Sequence, residues 1–185
     1  MSMSLDGYFE GPEHDISWHF VDDEVHSYVN RRLARMSGFV SGRRTHELMA
    51  DYWPTADQDP GTSRPVAEFA ALWRTMPKTV FSRTLDHADW NTTVVREVTP
   101  ASIAALTAGP GGDLALSGAE LVASFLAQDL VDGYHLLVHP VVLGRGRHLF
   151  SPTDRPLPVT LTDTRRFTNG VTLLEYARSG PSPLD

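Results

Sequence analysis

Short apolar runs alternate with amphipathic stretches along almost the whole chain. Gly38-Phe39-Val40, Thr79-Val80-Phe81, Thr92 to Val95, Asp113-Leu114-Ala115-Leu116 and His135-Leu136-Leu137-Val138 read as short buried strands. Between them, apolar residues recur at helical spacing. Asp22 to Arg35 forms one such segment, with Val25, Tyr28, Val29 and Leu33 as its stripe; Thr45-His46-Glu47-Leu48-Met49 opens a second, and Val66 to Trp73 forms a third. Pro100 to Ala108, capped by Thr99 and ended by Gly109-Pro110, is a fourth. Ala119 to Gln128, with Leu121, Val122, Phe125 and Leu126 on one side, is a fifth. Pro54 to Arg64 reads as a surface loop. Asn169-Gly170, between Val159 to Phe167 and Val171 to Ala177, predicts a closing antiparallel hairpin. This order predicts a mixed sheet covered by helices on both faces, with no repeat and no internal domain boundary.

Three strand ends stand out. Gly42-Arg43-Arg44-Thr45 passes from strand to helix, as does Ser117-Gly118-Ala119 followed by Glu120 and Leu121. Ser82-Arg83-Thr84 follows the strand between them. A glycine admits a ligand close to the backbone, and a helix start aims unpaired N–H groups and a positive dipole end at an anion. Arginines beside it suit phosphate. The hydroxyls and guanidinium of Ser82, Arg83 and Thr84 suit the 2′-phosphate of a ribose. Taken singly, each junction also reads as an ordinary cap or turn. Gly-x-Gly-x-x-Gly is missing; Gly144-Arg145-Gly146 imitates it without a third glycine or a following helix start, which argues against an ordinary Rossmann domain.

Composition narrows the chemistry. The net charge of −7, with no long basic block, argues against nucleic-acid binding. With no cysteine in the chain, disulfides, thiolate catalysis and cysteine-ligated metals are excluded. His135 and His139, four apart on a strand, stand ~13 Å apart at about 3.3 Å per residue, and His14, His19 and His26 follow no ligand spacing, so no metal is expected. No Gly-x-Ser-x-Gly elbow is present. The chain carries neither a leader nor a long apolar run, and the expectation is a cytoplasmic protein without a membrane segment. Asn91-Thr92-Thr93 is read as a chance sequon.

A family resemblance joins these pieces. Ser4-Leu5-Asp6-Gly7-Tyr8, then Gly11-Pro12 and Trp18, Gly42-Arg43-Arg44-Thr45-His46-Glu47 with Tyr52-Trp53-Pro54, Ser82-Arg83-Thr84 with Asp89-Trp90, Leu116-Ser117-Gly118-Ala119-Glu120-Leu121, and His139 to Gly146 before Leu149-Phe150 resemble the dihydrofolate reductase superfamily. The similarity is greatest to the C-terminal reductase domain of the riboflavin-biosynthesis deaminase/reductase RibD. It implies a three-layer α/β/α fold with a mixed, mostly parallel central sheet and a C-terminal antiparallel hairpin, as one domain over residues 1–180 with a tail at 181–185. It also implies NADPH as cofactor, with Gly42, Arg43, Arg44, Thr45, Ser117, Gly118, Ala119, Glu120 and Leu121 around the phosphates and Ser82, Arg83 and Thr84 near the 2′-phosphate. Two departures are visible: only Met1-Ser2-Met3 stands where the family has a full first strand, and Ser117 and Ala119 replace common glycines.

For the substrate side, Asp23 falls, counting from Trp18 without gaps, where dihydrofolate reductases carry the acid that holds the pterin; Asp22 and Glu24 are its rivals. Asp6 is a second candidate, with a simple turn at Asp6-Gly7 as the competing reading. Tyr8, Trp18 and Asp22 complete the expected pocket. The resulting expectation is an NADPH-dependent reductase of a small heterocycle (pterin, folate or ribosylaminopyrimidine) or carbonyl compound, or alternatively a nucleotide-binding sensor or resistance factor. A homodimer through the C-terminal strands and Val138 to Leu143 is also expected.

Overall fold

A computed structural model of the chain describes residues 1–109, 111–150 and 156–180. The expected helix end at Pro110 and the tail at 181–185 lie outside the described residues. The strands are β1 (Ser2–Ser4), β2 (Tyr8–Glu10), β3 (Gly38–Gly42), β4 (Lys78–Phe81), β5 (Thr92–Val95), β6 (Leu114–Ser117), β7 (Gly133–His139), β8 (Arg147–His148), β9 (Val159–Arg166) and β10 (Thr172–Arg178). The helices are α1 (Asp23–Leu33), α2 (Arg43–Tyr52), α3 (Arg64–Thr75), α4 (Pro100–Thr107) and α5 (Ala119–Ala127). The fold is mixed α/β, with parallel and antiparallel pairing as expected. Its strands, however, hydrogen-bond in three ladders: β5-β4-β3-β6, β1-β7-β10-β9 and β2-β8. The chain divides into two compact units, one of His26–Ser124 and one of Met1–Val25 with the chain from Phe125 onward.

The His26–Ser124 unit is built on a wholly parallel sheet, β5-β4-β3-β6. Its central strands are buried, Val40 and Val80 being 1% and 0% exposed. Phe69, Ala70 and Trp73 from α3 and Ile103 from α4 add to the core. α3 begins at Arg64, ahead of the expected Val66, because Pro65 lacks the N–H that a first turn leaves unpaired anyway. α4 is closed by a capping box in which Thr99 Oγ1 accepts from the Ser102 amide and Ser102 Oγ accepts from the Thr99 amide. Part of the expected loop at Pro54 to Arg64 is a 3-10 turn, Trp53–Thr55.

The terminal unit holds β1, parallel to β7, and the hairpin of β9 with β10. The first strand is three residues long, as Met1-Ser2-Met3 suggests, and pairs Ser4 with His139. At the hairpin, Gly170 takes φ +89; its amide donates to the Phe167 carbonyl while the Phe167 amide donates to the Val171 carbonyl. The turn thus encloses Thr168, Asn169 and Gly170, a three-residue connection with glycine at the left-handed position.

Candidate functional site

Strand order places the three junctions side by side. β3 pairs with β4 on one side and β6 on the other, with Gly42 opposite Phe81 and Ser41 opposite Ser117. The chain runs from β3 outward to β4 and β5, then returns across to β6. The direction of winding therefore reverses between β3 and β6, and open parallel sheets bind ligands outside the carboxyl ends of strands at that kind of point. Gly42 and Gly118 stand at the two strand ends that flank it.

Gly118 takes φ +89, and a Cβ there would lie 2.7 Å from Thr45 Oγ1 and 3.5 Å from the Gly42 nitrogen. The first and third junctions therefore touch, and only glycine fits at their contact. Gly42 is different. Its φ of −80 and ψ of 163 suit any residue, and an added Cβ would find nothing nearer than Leu121 Cβ at 4.0 Å. Protein packing leaves this side of the strand end open.

Helix α2 starts at Arg43 rather than Thr45, which puts both arginines in its first turn, with no acid there and no side-chain cap from Gly42. Cations at a helix N-terminus oppose the macrodipole, each by about 0.3–1 kcal/mol, so this turn breaks a local rule that an anionic ligand would restore. Arg43 Nη1 reaches Glu47 Oε1 at 3.2 Å, both side chains about half exposed, a pair weak enough to yield to a phosphate. α5 likewise begins without a side-chain cap, its N-terminal neighbour being Gly118. In contrast, α4 has its capping box.

At the second junction Ser82 is buried, and its hydroxyl accepts from the amides of Thr84 (3.3 Å) and Leu85 (3.0 Å). Ser82 forms the turn that presents Arg83 and Thr84 to solvent. A nearby groove of about 280 Å³ is lined by His46, Glu47, Asp51, Leu85, His87 and Ala88. Its carboxylates make it a poor phosphate site. Behind α2, Lys78 is buried with its Nζ donating to the Met76 and Trp90 carbonyls (2.8 and 2.7 Å) and resting 4.4 Å over the Trp73 ring; burial pulls its pKa to about 8. No sequence signal had singled this lysine out.

The expected substrate residues are all in the terminal unit. Asp6 accepts from Ser4 Oγ (2.7 Å) and from the Leu143 and Gly144 amides (3.1 and 2.8 Å). The Ser4 hydroxyl above all, with these amides, holds its carboxyl at about 2. Asp6 is thus a clasp between the first loop and the Leu143-Gly144 turn, not a proton donor. Gly146 takes φ +142 where a side chain would run into the Glu10 carbonyl, so it serves backbone packing, whereas Gly144 takes φ +72 with open space around it and serves the turn. Asp22 caps α1, its Oδ1 accepting from the Val25 amide at 2.9 Å, whereas Asp23 is exposed in the first turn. Tyr8 stacks on His148 at 4.0 Å.

Trp18 leads to a cluster the sequence did not announce. Its ring stands edge-on to His19 (4.3 Å) and His139 (5.5 Å), and the two imidazoles lie nearly parallel, 5.2 Å apart. His139 is fully buried, with Nδ1 accepting from the Phe20 amide at 2.9 Å. Burial, and then His19 beside it, push its pKa down to about 4; burial also lowers that of His19. In the sequence His139 ends an apolar run and opens the His139 to Gly146 segment of the resemblance, but nothing paired it with His19.

A parallel sheet with a glycine contact and arginine-flanked helix starts at its winding reversal is an arrangement whose chemistry suits a phosphate-bearing ligand. The chain belongs to the RibD C-terminal domain family, whose profile matches residues 1–173. It is similar to the uncharacterized protein YyaP of Bacillus subtilis (strain 168), with 30% identity over 181 residues, covering 97% of this chain and 93% of that protein. Among solved structures, a putative riboflavin biosynthesis protein from Shewanella sp. PV-4 superposes with a TM-score of 0.73 at 23% identity, covering 97% of both chains. The diaminohydroxyphosphoribosylaminopyrimidine deaminase/5-amino-6-(5-phosphoribosylamino)uracil reductase of Thermotoga maritima gives 0.63 at 14% identity, covering 96% of this chain and 55% of that one. The fold is therefore the dihydrofolate-reductase-like fold of the RibD reductases. No helix among the described residues is long and apolar enough to cross a membrane.

Proposed function

We propose that this protein is an NADPH-dependent reductase acting on a small pyrimidine- or pterin-like heterocycle. The observation that carries the reading is the open side of Gly42 at the winding reversal, beside the strand end where Gly118 packs on Thr45. Family membership and the reductase activity for which the Thermotoga maritima neighbour is named support it.

The residues present fit the cofactor. Gly42 and Gly118 admit its pyrophosphate to the amides that open α2 and α5, and Arg43 turns from Glu47 to neutralise it. The exposed Arg83 holds the 2′-phosphate together with the Thr84 hydroxyl. When bound, NADPH supplies a hydride. Since Asp6 stays ionised, the proton that accompanies reduction comes from another group or from water. The exposed Asp23 carboxylate remains the proposed contact to an N–H-rich substrate ring.

Calorimetric titration tests this reading. Wild type is expected to bind NADPH more tightly than NADH. Arg83→Ala should lose about 1.5–3 kcal/mol toward NADPH alone, on the order of tenfold to a hundredfold in affinity. Gly42→Ala should fold normally and lose NADPH, its methyl standing in the ligand's space. Equal affinity for the two cofactors in wild type, or unchanged NADPH binding by Gly42→Ala, would overturn the reading.

The chain is further proposed to act as a homodimer through its C-terminal strands. β9 is the outer strand of its ladder and is exposed along its whole length, Leu161 being 50% accessible; an unpaired edge of this kind is a template for a second strand.

A further inference from the structure

In the terminal unit, two side-chain nitrogens are sealed from water with no partner: His139 Nε2 and His19 Nε2. Their chemistry is opposite. His139 Nδ1 accepts from the Phe20 amide, so in the neutral ring the proton sits on Nε2, which is an unpaired donor. His19 is bonded to the Phe9 carbonyl, a bond that falls to Nδ1–H because Nε2 has no partner; its Nε2 is therefore an unpaired acceptor. A buried donor and a buried acceptor each cost about 1–3 kcal/mol when left unmade, and native proteins keep few such atoms without a use for them. These two belong to nearly parallel rings 5.2 Å apart, with the indole of Trp18 edge-on to both.

We propose that His139 and His19 are the polar recognition pair for the lactam edge of a planar heterocycle, His139 Nε2–H donating to its carbonyl oxygen and His19 Nε2 accepting from the adjacent ring N–H. The substrate class rests on the reductase reading above; the pair itself rests on the two orphaned atoms. Both rings being neutral, the pair selects an uncharged ring. It rejects one whose N–H is replaced by methyl, since the acceptor then stays unpaired and the methyl needs space.

Access comes from the segment that carries His19. Beyond its local turns and the Gly11 amide donating to the Asp15 carbonyl, the segment Asp15 to Val21 is held, among the described residues, by three bonds: the Phe20 amide to His139, the Phe20 carbonyl accepting from Asn169 Nδ2 at 2.9 Å, and His19 to the Phe9 carbonyl. Ile16, Phe20 and Val21 are exposed apolar residues on the same segment, 56%, 47% and 49% accessible. Lifting it exposes both nitrogens together, and closing it over a ligand satisfies them together.

The test is an imidazole ¹⁵N–¹H correlation experiment on the full chain, titrated with uracil as probe and 1,3-dimethyluracil as control, with and without NADPH. Before titration, His139 is expected as the Nε2–H tautomer and His19 as the Nδ1–H tautomer. Uracil should then shift both rings saturably, and 1,3-dimethyluracil should not. His139→Phe and His19→Phe should each weaken uracil binding at least about tenfold, the equivalent of ~1.4 kcal/mol, while leaving NADPH affinity unchanged. Silent imidazoles under uracil, or equal shifts from the dimethyl control, would overturn the proposal and leave a bridging water as the occupant. The wild-type titration decides even where a variant fails to fold. NADPH titrated alone separates the two readings: if it fails to bind while uracil engages the pair, the reductase reading falls and the recognition pair stands; if it binds and uracil leaves the pair silent, the reverse holds.

Discussion

Replacing Gly118 by alanine probes the contact on which the proposed cofactor cradle depends. At φ +89 a side chain carries a left-handed penalty of about 1–2 kcal/mol. Its Cβ would also lie 2.7 Å from Thr45 Oγ1 and 3.4 Å from Thr45 Cβ, an overpacking that costs about 1–3 kcal/mol. Alanine restores about 0.4–1 kcal/mol by restricting the unfolded chain. The net loss should be about 2–4 kcal/mol, read as a lower urea midpoint at unchanged slope. The two parts are separable. Thr45→Ala removes the 2.7 Å contact but not the backbone strain, so Gly118→Ala in a Thr45→Ala background should cost less than in wild type by about 1–2 kcal/mol. Gly42→Ala is the matched control, with an ordinary φ of −80 and its nearest neighbour at 4.0 Å, and its stability should stay within about 0.5 kcal/mol of wild type. Gly118→Ala as stable as wild type, or a strictly additive double variant, would refute the claim that the first and third junctions meet at this residue.

Stability should also depend on acidity through His139: its pKa is about 4 in the folded chain against 6.5 for a free imidazole, so the unfolded chain protonates first. Stability should therefore be flat above pH 6.5 and fall toward pH 4 by up to about 3 kcal/mol, with His19 acting in the same sense; urea midpoints at pH 7.5 and 4.5 check this, and His139→Phe should lessen the difference. Asp6→Asn should loosen the first loop, since an amide accepts less strongly from Ser4, Leu143 and Gly144 than the carboxylate does. Faster amide exchange at Leu143 and Gly144 is the readout, and unchanged exchange would remove the clasp. Light scattering should return twice the 20.4 kDa of one chain, and a proline at Thr162 on β9 should shift the population to monomer.

The parallel sheet and its helices were legible because each strand is a short apolar run and each helix has a visible start; Thr99-Pro100 and Asn169-Gly170 announced their cap and turn outright. Gly42 and Gly118 could be singled out because each stands where a short apolar run passes into a helical pattern, and the two recur in order along the chain. Their mutual contact could not, since it depends on β6 returning beside β3. The turn role of Ser82 was less legible for a local reason: a serine at a strand end also serves to accept from the amides two and three residues on, and here it does. Asp6 looked like an acid for chemistry because its partners, Leu143 and Gly144, are remote in sequence. The histidine pair was invisible on the same ground. Burial of His139 and the approach of His19 are tertiary facts, and spacing along the chain bears only on whether two histidines share one element.

The return of β6 to the side of β3 also bears on how the protein is built. All of α2, α3, β4, β5 and α4 lies between these two neighbours, so their pairing closes a long loop and is among the slower contacts to form. Until it closes, Gly118 has no Thr45 to meet, and the amides that open α2 and α5 do not converge. On the proposed function, a nucleotide would find nothing to hold in a half-folded chain. It would act after assembly, slowing the sheet's escape from the native state more than hastening its arrival.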